Sequence, residues 1–192
     1  TASEVFGVPF DEVTSEMRSA AKAVNFGIVY GISDFGLARQ LGISRKEAAR
    51  YIELYFMRYP GVHTYLKGCV ERAKQQGAAT TLFGRRREMP ELKSSNYNTR
   101  SFGERVAMNM PIQGTAADII KLAMVRVHNE LKARGMKSEL ILQIHDELII
   151  DAVQEEADAA AEILKSCMEN VVNLKVPLLA EVHTGHSWFD TK

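Results

Sequence analysis

The sequence has few of the features that mark a membrane or secreted protein. No apolar run approaches the roughly eighteen residues that a membrane-spanning helix requires, and the first residues lack the charged-then-apolar pattern of a signal peptide. The only cysteines, Cys69 and Cys167, do not form a CxxC pair. Free thiols in a reducing compartment are therefore favoured over a disulfide. We expect a soluble cytoplasmic protein without a membrane partner.

The sequence also lacks an excess of charge of either sign, since 24 basic residues balance 24 acidic ones. This balance excludes a uniformly basic coat, although a local basic track on a nucleic-acid-binding face remains possible. Prolines are few, and the chain contains no repeat and no Gly/Ser linker. Its 192 residues suffice for one large domain or two small lobes.

Helix signals dominate what is present. Thr14 or Ser15, Ser33 and Ser44 are each placed to cap a helix, and glycines or Pro60 end the helices up to residue 77. Residues 79–91 predict a short hairpin with Gly84 near its turn. Helix returns from about residue 99 to 134, with an interruption expected at Pro111 and Gly114.

Two apolar segments, residues 138–144 and 147–153, predict a pair of antiparallel strands joined by a tight turn. A polar helix is expected over residues 154–173, and a last strand after Pro177. These elements predict a helix-rich α+β fold with a small antiparallel sheet in the second half.

Four residues recur at every fourth position of the segment 15–30: Arg18, Lys22, Phe26 and Tyr30. This spacing places them along one slowly drifting stripe of a helix, cationic at one end and aromatic at the other. A nucleoside triphosphate has the same polarity, because its phosphates are anionic and its base is flat. The alternative is that the two rings belong to the core and the two cations form a solvated edge.

Other polar residues stand at predicted turns or breaks. The arginines at 85–87 are candidates for phosphate contacts, or simply form a solvated turn. Asn109 and Gln113 flank Pro111, and carboxamides suit the base edges and sugars of a DNA minor groove. The alternative is that they cap exposed backbone at the helix break.

The stretch QIHDELII, residues 143–150, sets His145, Asp146 and Glu147 between apolar segments that are expected to be buried. A hairpin presents its turn residues at the tip, and two carboxylates are oxygen ligands suited to Mg²⁺. An ordinary polar turn is the alternative. A His-Asp metal phosphohydrolase would need further ligands, for which His63 and His128 are candidates only by count.

Several long motifs together resemble family A DNA polymerases, the family of bacterial DNA polymerase I. RSAAKAVNFGIVYG resembles their fingers-helix motif, and QIHDELI resembles the palm motif in which His-Asp-Glu caps a β-hairpin. LFGRRREMPEL and ERVAMNMPIQGTAADIIKLAM are also similar, in the same order and at similar separations. The resemblance covers essentially the whole chain and implies a fingers subdomain over residues 1–80 and the C-terminal part of a palm over residues 81–192.

The resemblance also implies roles for the site residues. Arg18 and Lys22 hold the triphosphate of the incoming deoxynucleotide, and Lys22 protonates the leaving pyrophosphate. Phe26 packs on the sugar, where a Phe disfavours dideoxynucleotides, and Tyr30 closes over the nascent base pair. The residues expected to contact primer–template DNA are Arg105, Asn109, Gln113 and, near the primer terminus, His145. Asp146 binds the two catalytic Mg²⁺ ions, with Glu147 as a supporting catalytic carboxylate.

One departure from the family pattern concerns its other catalytic aspartate. That residue belongs to a D-Y-S-Q-I-E-type motif upstream of the fingers helix, and the motif is not found in this sequence. We therefore expect that the chain is a piece of a DNA polymerase of replication and repair, and that this piece is inactive on its own. We also expect self-association through exposed palm surface. The alternative to an enzyme part is a non-catalytic nucleic-acid-binding module.

Overall fold

The computed structural model describes residues 1–191 and divides into two compact units. The first unit spans Thr1–Gly114, and the second begins at Thr115. Helices predominate, and the strands form two separate two-stranded antiparallel sheets. The predicted helix-rich α+β class is confirmed.

The first unit opens with helices that begin at polar caps. Thr14 Oγ1 accepts a hydrogen bond from Met17 N–H at 3.2 Å, and Ser33 Oγ accepts one from Gly36 N–H at 3.1 Å. Ser44 forms the full capping box with Glu47 that its sequence predicts. The helices are α1 (Ala2–Phe6), α2 (Ser15–Val29), α3 (Asp34–Leu41), α4 (Arg45–Arg58) and α5 (Pro60–Gln76).

Two apolar clusters hold the first unit together. The larger one lies among α2 to α5 and buries Val24, Ile28, Leu37, Ala38, Ala48, Tyr55 and Leu66. The hairpin of β1 (Ala78–Thr80) and β2 (Arg86–Glu88) forms as predicted, with Gly84 at a positive φ of 82°. A smaller cluster lies beside this hairpin and buries Ala73, Ala79, Met89, Leu92 and Ala107.

A single long helix, α6 (Tyr97–Ala133), replaces the interrupted helix that the sequence predicts. Pro111 lies inside it, and Gly114 does not end it, so the predicted break is wrong. A proline costs the helix one backbone hydrogen bond and causes a local clash. That cost is offset because Ala107 before it and Ile120 after it are each buried in an apolar cluster.

The second unit consists of the remainder of α6, the hairpin of β3 (Glu139–Ile144) and β4 (Glu147–Asp151), and α7 (Ala157–Glu169). Its core buries Ile120, Ala123, Val127, Leu131, Leu148, Ala160, Ile163 and Cys167. The predicted strand after Pro177 is wrong, because residues 177–186 adopt no regular structure and pair with no strand among the described residues. A strand needs a hydrogen-bonding partner, which local propensity does not supply.

The β3–β4 hairpin is covered on one face only. Leu148 is buried, and Leu140 and Ile150 pack against the same core. Ile141 and Leu142 are 59% and 42% exposed, so the expectation that both flanking strands are buried is wrong for β3. The register shifts between Leu140 and Leu142, which leaves Ile141 as the extra residue of a bulge and faces it away from the core.

Candidate active site

The four residues spaced by four along α2 all lie on its exposed side. Arg18 and Lys22 are exposed, while Phe26 and Tyr30 remain 52% and 42% exposed. The opposite side of α2 buries Val24 and other core residues. The alternative that the two rings belong to the core is therefore wrong.

We call these four side chains the α2 column, and contacts join the last three of them. Lys22 Nζ lies 5.9 Å from the centroid of the Phe26 ring, within the range of a cation–π contact. The Phe26 and Tyr30 rings stack with centroids 6.4 Å apart and planes only 14° from parallel. The column thus presents a cationic end followed by two nearly parallel flat faces, which matches a triphosphate followed by a nucleoside.

An open groove runs beside the α2 column. It has a volume of about 690 Å³, and Arg18, Lys22 and Phe26 line it, together with Tyr55 of α4 and the first two residues of the chain, at the start of α1. This volume lies in the range of small-molecule sites, roughly 300–1,000 Å³. The first unit by itself therefore offers a groove of nucleotide size beside Arg18, Lys22 and Phe26.

The wall that α1 adds to this groove is anchored by Glu4. Its carboxylate accepts hydrogen bonds from the Tyr59 hydroxyl and from Arg58 Nη2, the latter at 2.7 Å. The Tyr59 hydrogen bond, followed by the Arg58 guanidinium, lowers the pKa of Glu4 from 4.5 to about 2. Glu4 is consequently ionised at neutral pH and ties α1 to the end of α4.

The end of α2 approaches α6 closely within the first unit. Gly31 has a φ of 69°, and a Cβ at this position would lie 2.5 Å from Met108 Cε and 3.0 Å from Arg105 Cγ. A side chain here would have to displace Met108 Cε, and the backbone conformation favours glycine. Arg105 therefore lies beside the residue that follows Tyr30, and its guanidinium donates to Ser101 Oγ at 3.0 Å.

Asn109 and Gln113 follow Arg105 at four-residue steps on α6. The helix is continuous here, so no exposed backbone break exists for these carboxamides to cap. Asn109 Oδ1 is buried and has no hydrogen-bond partner among the described residues, whereas Gln113 is exposed. A buried acceptor without a partner is costly, which marks Asn109 as a residue with a further hydrogen bond to make.

In the second unit, His145 and Asp146 form the two-residue turn between β3 and β4, here called the hairpin tip. Ile144 pairs with Glu147, so the turn is as short as a hairpin allows. His145 has a φ of 51°, and it is the only non-glycine described with positive φ. Gln143 Nε2 donates to the His145 carbonyl at 2.8 Å. The tip is thus a strained turn held by a side chain of its own strand.

Asp146 and Glu147 stand side by side and exposed at this tip. Glu147 Oε2 accepts a hydrogen bond from the Trp188 indole at 3.3 Å. Carboxylate oxygens suit Mg²⁺, which is held by one or two carboxylates and by phosphates rather than by a full protein cage. The pair therefore fits as part of a magnesium site, while no group of three or more His, Cys, Asp or Glu among the described residues could complete it.

The same finding disfavours a His-Asp phosphohydrolase, whose metal centre would need such a group. His63, one of the two candidate ligands, stacks against Phe56 with centroids 4.5 Å apart. Its ring therefore serves packing in the first unit.

The three arginines at 85–87 lie on the exposed β1–β2 hairpin and are largely engaged in local contacts. Arg86 forms an ion pair with Glu88 at 2.7 Å, and Arg87 lies 3.9 Å from Glu91. The backbone N–H of Arg85 donates to Thr81 Oγ1 at 3.1 Å. These contacts favour the solvated-turn interpretation.

The sequence profile described as DNA polymerase family A matches residues 1–190. The chain belongs to this family. Among the described residues, none of the helices has the length and apolarity needed to cross a bilayer.

Relatives of known identity agree with the family A assignment over the full chain. The chain is 58% identical over 192 residues to DNA polymerase I of Caldicellulosiruptor bescii and 53% identical to that of Bacillus subtilis. All of this chain is covered in both cases, but only 23% and 22% of the relatives. The chain thus spans less than a quarter of the length of these polymerases.

A solved structure shows the same family A fold. It is the POL domain of Pol1 from M. smegmatis in complex with DNA primer-template and dNTP. The two chains align with a TM-score of 0.95 and 45% identity, over 99% of this chain and 34% of that one.

Several residues with contacts in these sites were not found from the sequence. Tyr55 lines the groove beside α2, Gln143 holds the hairpin tip, and Trp188 contacts Glu147. Gln143 stands two positions before the tip in the QIHDELI motif, which is a usable local signal. Tyr55 and Trp188 come from distant segments, and no spacing in the sequence indicates them.

Proposed function

We propose that this chain is the fingers and the C-terminal part of the palm of a template-directed DNA polymerase of the DNA polymerase I type. The observation that carries the proposal is the exposed α2 column, in which cations and stacked rings follow each other in the order of a triphosphate and its nucleoside. The fingers would occupy residues 1–80 and the palm portion residues 81–192. A bacterial cytoplasmic location follows from this activity.

The α2 column would bind the incoming deoxynucleoside triphosphate. Arg18 grips phosphate oxygens through its planar fork, and Lys22 adds a mobile charge and a proton for the leaving pyrophosphate. Phe26 contacts the sugar, and Tyr30 covers the nascent base pair. The exposure of both rings supports these roles, since a ring must be accessible to stack on a ligand.

Primer–template DNA would be contacted by side chains of α6. Arg105, Asn109 and Gln113 follow one face of α6 at helical spacing, as expected for side chains that track a minor groove. The exposure of Arg105 and Gln113 supports this role, since a side chain must be accessible to contact DNA. His145 would lie near the primer terminus.

At the hairpin tip, Asp146 would be the principal Mg²⁺ ligand of this chain and Glu147 a supporting carboxylate. When bound, two Mg²⁺ ions would stabilise the charge that develops as the primer 3′-hydroxyl attacks the α-phosphate and pyrophosphate leaves. The chain's own residues would position the reactants, and Lys22 would hold the proton that the pyrophosphate takes up. Replication and repair are the processes such a reaction serves.

Self-association is the expected behaviour of the chain on its own. Ile141 and Leu142 expose the outer face of β3, and each strand of the β3–β4 sheet has one edge unpaired among the described residues. Size-exclusion chromatography over a range of concentrations would show earlier elution as concentration rises. A monomeric elution at high concentration would contradict this expectation.

The polymerase proposal is tested by primer extension with Mg²⁺ and all four deoxynucleotides. The protein used is the whole polymerase of which this chain is proposed to be a part, here called the full-length parent. Asp146→Asn removes a charged oxygen ligand without changing size, and metal electrostatics are worth several kcal/mol. We expect a loss of about a thousandfold or more in kcat, with primer–template binding unchanged. Asp158→Asn, on the exposed side of α7, is the matched control.

If wild type and Asp146→Asn extend alike, the role proposed for Asp146 is wrong. If neither extends but both bind DNA with the salt dependence of phosphate contacts, a non-catalytic nucleic-acid-binding module becomes the better account.

A further inference from the structure

Trp188 belongs to a short turn, Gly185–Thr191, that contacts the β3–β4 hairpin within the second unit. Its indole Nε1–H donates to Glu147 Oε2 at 3.3 Å, across 41 positions of sequence. It is the only tryptophan of the chain. The turn therefore places a single N–H donor on the carboxylate that neighbours Asp146.

The Gly185–Thr191 turn is braced by its own contacts. Ser187 Oγ donates to Asp190 Oδ2 at 2.7 Å, and Thr191 Oγ1 donates to the Trp188 carbonyl at 2.8 Å. A Cβ on Gly185 would lie 2.8 Å from Asp190 Cβ, so the segment closes tightly on itself. These contacts hold the backbone on both sides of Trp188 and so place the start of its side chain beside the hairpin.

Glu147 has a fixed backbone but an exposed side chain. It pairs with Ile144 in the strand ladder and precedes the buried Leu148. A glutamate has several rotatable bonds, so an exposed carboxylate at a hairpin tip samples many positions unless something holds it. The indole N–H supplies a charge-assisted hydrogen bond that restricts it.

We propose that Trp188 is a positioning residue for Glu147 and, through it, for the divalent-cation site at Asp146. The inference rests on the proposed metal role of Asp146. Carboxylates near a bound metal usually carry such outer hydrogen bonds, and losing one typically weakens metal affinity or activity about 10–100-fold. Trp188 acts through Glu147 and does not itself touch the reacting atoms.

The first test reads the hydrogen bond without any catalysis. Because the chain has one tryptophan, its ¹H–¹⁵N NMR spectrum contains one indole signal. Glu147→Gln removes the carboxylate charge and is expected to move that signal upfield, while Phe189→Ala, a fully solvated neighbour, leaves it in place. An unmoved indole signal in Glu147→Gln would overturn the proposed bond.

The same signal also reports metal. Paramagnetic Mn²⁺ held at Asp146 is expected to broaden the indole resonance, and Asp146→Asn is expected to require more Mn²⁺ for equal broadening. Equal broadening in both proteins would mean that no cation is held beside Trp188 by Asp146, and it would overturn the inference.

The second test uses the full-length parent with Trp188→Phe, which keeps an aromatic ring but removes the donor. We expect the Mg²⁺ concentration at half-maximal activity to rise about tenfold or more, with KM for primer–template unchanged and Phe189→Ala like wild type. An unchanged Mg²⁺ dependence in Trp188→Phe would overturn the positioning role, while the proposed polymerase function would stand if Asp146→Asn still abolished extension. Extension that survives Asp146→Asn would overturn both.

Discussion

The α2 column and the hairpin tip differ in how much of a site each contains. The column runs from Arg18 to Tyr30 along α2 and its C-terminal cap. A cation–π contact and a ring stack join its last three side chains, Lys22, Phe26 and Tyr30. At the tip, Asp146 and Glu147 form no group of three or more ligating side chains among the described residues. The proposed nucleotide-binding face lies within one stretch of chain, whereas the proposed metal site has only part of its donor set there.

The difference has a physical basis in how each region is built. A helix fixes the spacing of its side chains by backbone geometry, so a ligand as long as a nucleotide can be matched along a single element. A metal needs donors that converge on one point from several directions. Donors that converge on one metal ion usually come from different segments of the chain. The tip supplies only two carboxylates, which are adjacent in sequence.

The largest expected effect is the difference between nucleotide binding and catalysis by the chain alone. We expect the 192-residue chain to bind a deoxynucleoside triphosphate, and Arg18→Ala to weaken that binding, because the column is complete within one unit. We expect no Mg²⁺-dependent primer extension, because the donor set at the tip is partial. Isothermal titration calorimetry measures nucleotide binding, and an extension assay measures catalysis. Robust extension by the chain alone would show that the tip is as complete a site as the column.

A smaller effect is expected from the cationic end of the column, measured in the full-length parent. Lys22→Ala removes the proposed proton donor, and general acid catalysis contributes roughly 10²–10⁴-fold. We expect kcat to fall about a hundredfold or more in single-turnover extension, with primer–template affinity unchanged. Lys46→Ala on the exposed side of α4 is the control, and an equal effect in both variants would show that the loss is not specific to the column.

The same contrast explains what the sequence could predict. The helix α2, the capping box at Ser44 and the β3–β4 turn depend on neighbours within a few positions, and the sequence predicts each of them correctly. The break at Pro111 was wrong because burial on both sides of the proline is a tertiary effect. The Trp188–Glu147 contact, 41 positions apart, was missed because no local pattern encodes it.

The strained backbone of the hairpin tip offers a stability measurement. His145 has a φ of 51°, where a β-branched residue is strongly disfavoured. We expect His145→Val to lower the free energy of unfolding by about 1–3 kcal/mol, and His145→Gly to be nearly neutral because glycine accepts this conformation. Urea unfolding of the chain measures both, and equal destabilisation would show that the lost imidazole matters rather than the backbone.

The smallest expected effect concerns the groove wall that α1 provides beside the column. The Tyr59 and Arg58 hydrogen bonds lower the pKa of Glu4 from 4.5 to about 2. Because the pKa of Glu4 is lower in the folded than in the unfolded state, its ionised carboxylate stabilises the fold above about pH 4.5. That contribution is lost as the pH falls toward 2. The effect is small because exposed ion pairs contribute little.

Glu4→Gln should therefore lower the thermal midpoint of the chain at pH 7, and this difference from wild type should shrink as the pH approaches 2. Glu53→Gln, an exposed glutamate on α4, serves as the matched control. A difference that persists unchanged at pH 2 would mean that Glu4 stabilises the groove wall by packing rather than by charge. Such a result would leave the column with a wall whose stability does not depend on pH.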